Sequence, residues 1–181
     1  MTIELRAALE DDLAFLTRLI GDPESSGEYQ WYGWQDPHRL RRRWDDNGLL
    51  GDDGGILVIA SGQERAGLVS WRRQLTSRVS YCWEMGLIVA PGFRGKGHGT
   101  RAQQLLVRYL FDHSPVNRVQ ATTELGNVAE QRALEKAGFT REGVLRGCGF
   151  RAGEWRDGVM YGIVRADLDG NREATAPDGG A

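Results

Sequence analysis

The chain has 181 residues, 40% of them hydrophobic, with a formal charge of −2, which suits one domain with a full core. That balance supplies no surface-wide field for nucleic acid or anionic lipid, and no apolar run reaches the length of a membrane span. The opening Met1-Thr2-Ile3-Glu4-Leu5-Arg6 has no signal or lipidation pattern, so a cytoplasmic protein without nucleic-acid or membrane partners is expected.

Ile3 to Ala7 reads as a short strand, followed by a helix over Glu10–Ile20 with Leu13, Leu16, Leu19 and Ile20 on one stripe and Asp11 and Asp12 in its first turn. Gly21 to Pro37 has loop chemistry, and within it Tyr29, Trp31, Tyr32 and Trp34 crowd into six residues. Such aromatics either wall a pocket or anchor a loop to its own domain. In Arg39-Leu40-Arg41-Arg42-Arg43-Trp44 the i, i+4 pair Leu40 and Trp44 turns inward and the arginines outward, a solvated helix face. Gly54–Ala60 and Arg65–Arg73 form a hairpin about Ser61-Gly62-Gln63-Glu64.

Tyr81 to Ala90 is apolar on both faces apart from Glu84, the pattern of a central strand covered on each side. Pro91 ends it. From Ala102 the apolar positions Leu105, Leu106, Tyr109 and Leu110 continue the stripe of a helix with one buried face. The turn Arg94-Gly95-Lys96-Gly97-His98-Gly99-Thr100 therefore joins a strand to a helix. A helix start exposes unpaired N–H groups and the positive end of the macrodipole, and glycines let an anion approach them. Arg94 and Lys96 favour a pyrophosphate over a carboxylate. A Walker loop needs a hydroxyl directly after its lysine, where Gly97 stands; a dinucleotide fingerprint needs G-x-G-x-x-G and a later acidic residue. Both fit poorly.

Asp112-His113-Ser114-Pro115 breaks the helix, and Val116–Thr123 is the next strand. Asn127 caps a further helix with Glu130 at N3, a capping-box arrangement, and Gly138 closes it. Thr140–Phe150 and Glu154–Ala166 make a closing hairpin about Arg151-Ala152-Gly153. From Asp169 the composition is that of a disordered tail, leaving 1–168 as the domain. Cys82 and Cys148, with His38, His98 and His113, form no metal-ligand spacing, so no metal is expected.

Arg94, Gly97 and Gly99 meet the pattern Q/R-x-x-G-x-G/A, which resembles the pyrophosphate loop of the GNAT superfamily of acyl-CoA-dependent N-acyltransferases. The stretch from Asn127 to Phe139, ending Glu-Lys-Ala-Gly-Phe, and the run Asp157 to Gly162 are similar to the branch that acetylates ribosomal protein N-termini. The resemblance covers about Leu5 to Leu168. It implies a single-domain α/β (α+β) fold, a mixed, mostly antiparallel sheet of about seven strands flanked by helices, with a splay between central strands.

By the same resemblance acetyl-CoA is the co-substrate and a primary amine, in a small molecule or a protein N-terminus, the acceptor. The pyrophosphate is expected on Gly95 to Thr100 with Arg94, Lys96 and His98, the pantetheine arm along Leu87, Ile88 and Val89, and further contacts from Asn127, Glu130 and Lys136. The segment carrying Tyr29, Trp31, Tyr32 and Trp34 borders the acceptor. Gly86 is placed to start a bulge that opens the strand edge. The amine attacks directly, and Glu84 is the expected general base; its other reading is a buried carboxylate paired with Arg72 or Arg146. Departures concern the leaving thiolate. Leu134 stands where many members have a tyrosine acid, Glu130 where the ribosomal-protein branch often has serine, and Thr122 where some have a basic glutamate. Glu130 is expected to complete the helix cap, the acid being its alternative role. A non-catalytic acyl-CoA sensor and a nucleotide-phosphate binder are the competing functions, and a homodimer is left open.

Overall fold

The structure, a computed structural model, describes residues 2–168; the tail from Asp169 lies outside the described residues. In chain order the elements are β1 (Ile3–Ala7), α1 (Leu13–Gly21), α2 (Pro23–Ser26), α3 (Arg39–Asn47), β2 (Leu50–Gly51), β3 (Gly54–Ser61), β4 (Glu64–Leu75), β5 (Tyr81–Val89), α4 (His98–His113), β6 (Arg118–Glu124), α5 (Val128–Lys136), β7 (Thr140–Arg151) and β8 (Glu154–Val164). The strands form one sheet in the order β1-β3-β4-β5-β6-β8-β7, with β2 added beside β3. Every pairing is antiparallel except β5 with β6. A parallel pair needs a crossover, and α4 supplies it.

Alternation divides the side chains between two layers. Trp83, Met85 and Leu87 of β5 join Leu106, Val107 and Leu110 of α4, Leu134 of α5 and Val159, Tyr161 and Ile163 of β8 in the larger core. On the opposite face Leu13, Leu16 and Leu19 of α1 pack with Leu40, Val58 and Leu68. The buried face of α4 is turned from the expected stripe: Gln103, Val107 and Phe111 are buried, whereas Tyr109 is 36% exposed. Neighbouring α5 and β8 cover the 103–107–111 line, and a glutamine is accepted there because it has a partner, described below.

Three local departures have physical causes. The expected first helix begins as a 3-10 turn, Glu10–Asp12. The Asp12 carboxylate leaves that turn to bind Arg6 Nη1 and Arg65 Nε, each at 2.6 Å, and the Leu9 N–H at 2.8 Å. The loop after α1 contains a short helix, because Asp22 accepts from Ser25 N at 2.8 Å and Pro23 sits in the first turn, a cap-and-proline start. Ala152 and Gly153 both have positive φ, +52° and +83°, giving the two-residue hairpin turn between β7 and β8. In α3 the outward arginines are paired, Arg41 with Glu10 and Asp45, and Arg42 with Asp36.

Asp12 is fully buried and joins β1, the α1 entrance and β4. Its hydrogen bonds to Arg6 hold its pKa well below the ordinary carboxylate value. The unfolded chain thus binds a proton more readily, so this contribution is complete above about pH 4 and falls away as acidification proceeds toward the folded pKa. Asp12→Asn should cost about 3 kcal/mol at neutral pH, measured by urea unfolding, with the difference from wild type shrinking below about pH 4.

Candidate active site

β5 pairs with β4 along its full length, from Tyr81 to Val89, but with β6 only at Trp83 and Glu84. Beyond Glu84 the two parallel strands part. The β4–β5 register has no shift, so the opening needs no bulge, and Gly86 keeps regular pairing opposite Ser70. The Ala90 N–H donates to Ala66 O at 2.8 Å, which places even-numbered residues of β5 in hydrogen-bonded pairs with β4. Leu87 and Val89 therefore turn their N–H and C=O groups to the free edge. Ile88 spends its own on β4, a correction to the expectation that all three would pair with a ligand.

The free edge faces the start of α4. Gly97 precedes the helix with φ +80°, a conformation open to glycine at little cost. The first internal bond of this helix runs from Arg101 N to Gly97 O at 3.1 Å. The amides of Gly95 to Thr100 have no acceptor among the described residues, as expected for a first turn without a side-chain cap. A Cβ at Gly99 would approach Leu87 Cδ1 at 3.4 Å, whereas the space beside Gly95 and Gly97 is open. Strand edge, helix start, the α2 loop and α5 together enclose a cleft of about 570 Å³.

The turn's charged side chains behave differently from their expected use. Arg94 borders the cleft but donates Nε to Val89 O at 2.8 Å and Nη2 to Ser25 O at 2.6 Å. It is a brace between the end of β5 and α2. Lys96 folds back to Gly92 O at 2.7 Å and does not line the cleft. His98 borders it with Nδ1 held 2.9 Å from Phe93 O. The cations with no ion-pair partner among the described residues are Lys136 and, one turn earlier, Arg132. Arg132 was not anticipated; its i, i+4 spacing from Lys136 is the signal that could have found it.

Asn127 and Glu130 also line the cleft. Asn127 Oδ1 accepts from the Glu130 N–H at 3.3 Å, so the cap exists. The reciprocal half of the capping box does not. The Asn127 N–H donates to Glu124 O at 2.9 Å, and Glu130 Oε1 instead accepts from Gln103 Nε2 at 2.6 Å. Burial pushes the Glu130 pKa up to about 7, with the Gln103 hydrogen bond pulling the other way.

The aromatic segment is split. Tyr29 reaches the cleft, donates to Gly126 O at 3.1 Å and lies under the Arg151 guanidinium. Trp31 and Trp34 meet edge to face at 5.8 Å, and Trp34 borders a separate cleft against α1 and α3. Tyr32 is 60% exposed and does not line the main cleft. Glu84 also lies outside the cleft lining. Its Oε2 accepts from Arg72 Nη2 at 2.9 Å and Nε at 3.2 Å across the β4–β5 pair, so the arginine pairing is present, with Arg72.

Residues 2–140 match the family described as Acetyltransferase (GNAT) domain. The chain belongs to the GNAT acetyltransferase family. Among curated GNAT relatives it is 29% identical over 87 residues to the uncharacterized N-acetyltransferase YnaD of Bacillus subtilis (strain 168), covering 48% of this chain and 51% of YnaD. It thus aligns with about half of that relative's length. It is 30% identical over 132 residues to YdaF of the same organism, whose name carries a provisional assignment as a ribosomal N-acetyltransferase, covering 73% of this chain and 68% of YdaF. The crystal structure of spermidine N-acetyltransferase from Vibrio cholerae, in complex with CoA and spermine, superposes with TM-score 0.79 at 20% identity, covering 91% of this chain and 96% of that one. The splayed sheet is thus a GNAT fold.

If Arg94 braces the turn, Arg94→Ala should leave secondary structure intact and free the α2 loop. Amide exchange at Ser25–Gly27 should accelerate by about tenfold, the equivalent of one to two kcal/mol of lost charged hydrogen bonding. Unchanged exchange there would remove the bracing role.

Proposed function

We propose that this protein transfers an acetyl group from acetyl-CoA directly to a primary amine. The observation that carries the reading is the meeting, in one cleft, of a free strand edge and a helix start with unbonded amides. The first suits the amide-bearing pantetheine arm. The second suits a diphosphate. Arg132 and Lys136 add cationic charge at the same cleft. The residues present therefore fit CoA, with Leu87 offering both N–H and C=O and Val89 its N–H alone, since Arg94 holds the Val89 carbonyl. A nucleotide-phosphate binder would leave the free edge without a use.

The amine must be neutral to attack. A lysine-like amine with pKa about 10.4 is neutral in roughly one molecule in 2,500 at pH 7, whereas an α-amine near 7.8 pays only about 1 kcal/mol. A base therefore matters most for the first kind. Glu84 remains our base: Arg72 occupies Oε2, leaving Oε1 to take the amine proton through a water. The Leu87 N–H at the free edge is the group we assign to the developing oxyanion. Acceptors of the relatives include a polyamine, as the complex with spermine indicates, and the class we favour is a small primary amine or a protein N-terminus.

Two measurements test this. Titration calorimetry with acetyl-CoA should show binding at about micromolar concentrations, −8 kcal/mol in free energy, and no heat at millimolar CoA would end the proposal. Glu84→Gln should lower kcat by about a hundredfold on a lysine-like amine while leaving the acetyl-CoA Kd unchanged. Full activity in that variant would take Glu84 out of the mechanism, and the sensor reading would be favoured if neither protein turned over any amine.

A further inference from the structure

We propose that Glu130 stores a proton in the resting protein and delivers it to the CoA sulfur as the thiolate leaves. This rests on the acetyl-transfer reading above. Three observations converge on it. Glu130 lines the cleft beside Leu87, with Ala133 following on the same helix face. Its carboxyl is held by Gln103, a side chain fully shielded from water, whose Oε1 has no hydrogen-bond partner. Leu134, at the position where many family members carry the acid, is fully buried and does not line the cleft.

Donors and acceptors around the pair do not balance if Glu130 is ionised: two carboxylate oxygens and the Gln103 amide oxygen face one amide NH2. A proton on Glu130 corrects this. The 2.6 Å separation also lies at the usual O–H···O distance and below the common N–H···O range, and turning the amide over exchanges its oxygen and nitrogen within almost the same shape. The charged groups around the cleft are Glu28 from the loop after α2, Arg94 and His98 from the turn and α4, and Arg132 and Lys136 from α5. None forms an ion pair with Glu130, and Arg94 is engaged by two carbonyls. A half-buried carboxyl with no cation is favoured in its neutral form, in keeping with its raised pKa.

The step balances as follows. The amine nitrogen bonds to the thioester carbon while the C=O π pair moves to oxygen. As the carbonyl re-forms, the C–S bond breaks, its pair goes to sulfur, and sulfur takes the Glu130 proton. The surplus proton of the amine leaves through Glu84 and water. Glu130 is reprotonated from solvent, and the products are an amide and the CoA thiol.

Infrared difference spectra of the ligand-free protein should show a protonated-carboxyl band that titrates near neutral pH and is missing from Glu130→Gln. In that variant kcat should fall at least about tenfold with acetyl-CoA Kd within about threefold of wild type. The wild-type kcat should decline with rising pH as Glu130 ionises, and this limb should vanish in the variant. Glu130→Asp, which keeps a carboxyl, should recover part of the rate. A Glu130→Gln protein with wild-type kcat and pH profile, or a wild-type protein with no such band, would overturn the proposal. Failure of the wild-type protein to bind CoA would instead overturn the transfer reading and leave the stored proton without its destination.

Discussion

The parting of β5 from β6 beyond Glu84 is the constraint on which the rest of this molecule depends. Interior strands ordinarily satisfy every backbone group in their ladders, and a strand that gives up half of one ladder leaves polar groups facing a cleft. Here the cost is contained because β4 holds the other edge over the full length of β5, without a register shift. The crossover helix α4 must begin where β5 ends, since the following strand is its parallel neighbour. Free edge and helix start are therefore neighbours by topology, not by coincidence of loops.

Around that opening, arginines are used for architecture more than for binding. Arg94 ties β5 to α2, Arg72 holds Glu84, Arg151 joins Glu124 beneath the aromatic loop, and Arg6 with Arg65 neutralises buried Asp12. Their planar, multi-donor heads suit such bracing. What remains for an anionic ligand is the pair Arg132 and Lys136 on α5, together with backbone amides. The arrangement gives the cleft its positive character through dipoles and two side chains, without burying a lone cation.

Most of the fold was legible because the signals were periodic. The alternation of β5, the stripe of α4 and the Asn127 cap all stand in the structure near their expected places. The site was legible in its backbone and less so in its side chains. Glycines at 95, 97 and 99 announce a turn by their missing Cβ, whereas nothing local says that Lys96 will fold onto Gly92 O or that Arg94 will turn toward Ser25. Gln103 was passed over because a polar residue in a helix is read as solvent-facing. Its burial depends on Glu130, 27 positions later in the chain, a pairing that no window of sequence contains. The short helix after α1 is a different kind of miss: Asp22-Pro23 carries a start signal that the surrounding loop composition masked.

The contact of Tyr29 with Gly126 O joins the aromatic loop to the turn before α5 across the mouth of the cleft. An exposed hydrogen bond of this kind is worth about 1 kcal/mol net, so thermal motion releases it in roughly one molecule in six at any instant. The hydroxyl thus works as a light latch. Traffic through the doorway is quick, and residence inside is governed by what the strand edge and helix amides hold.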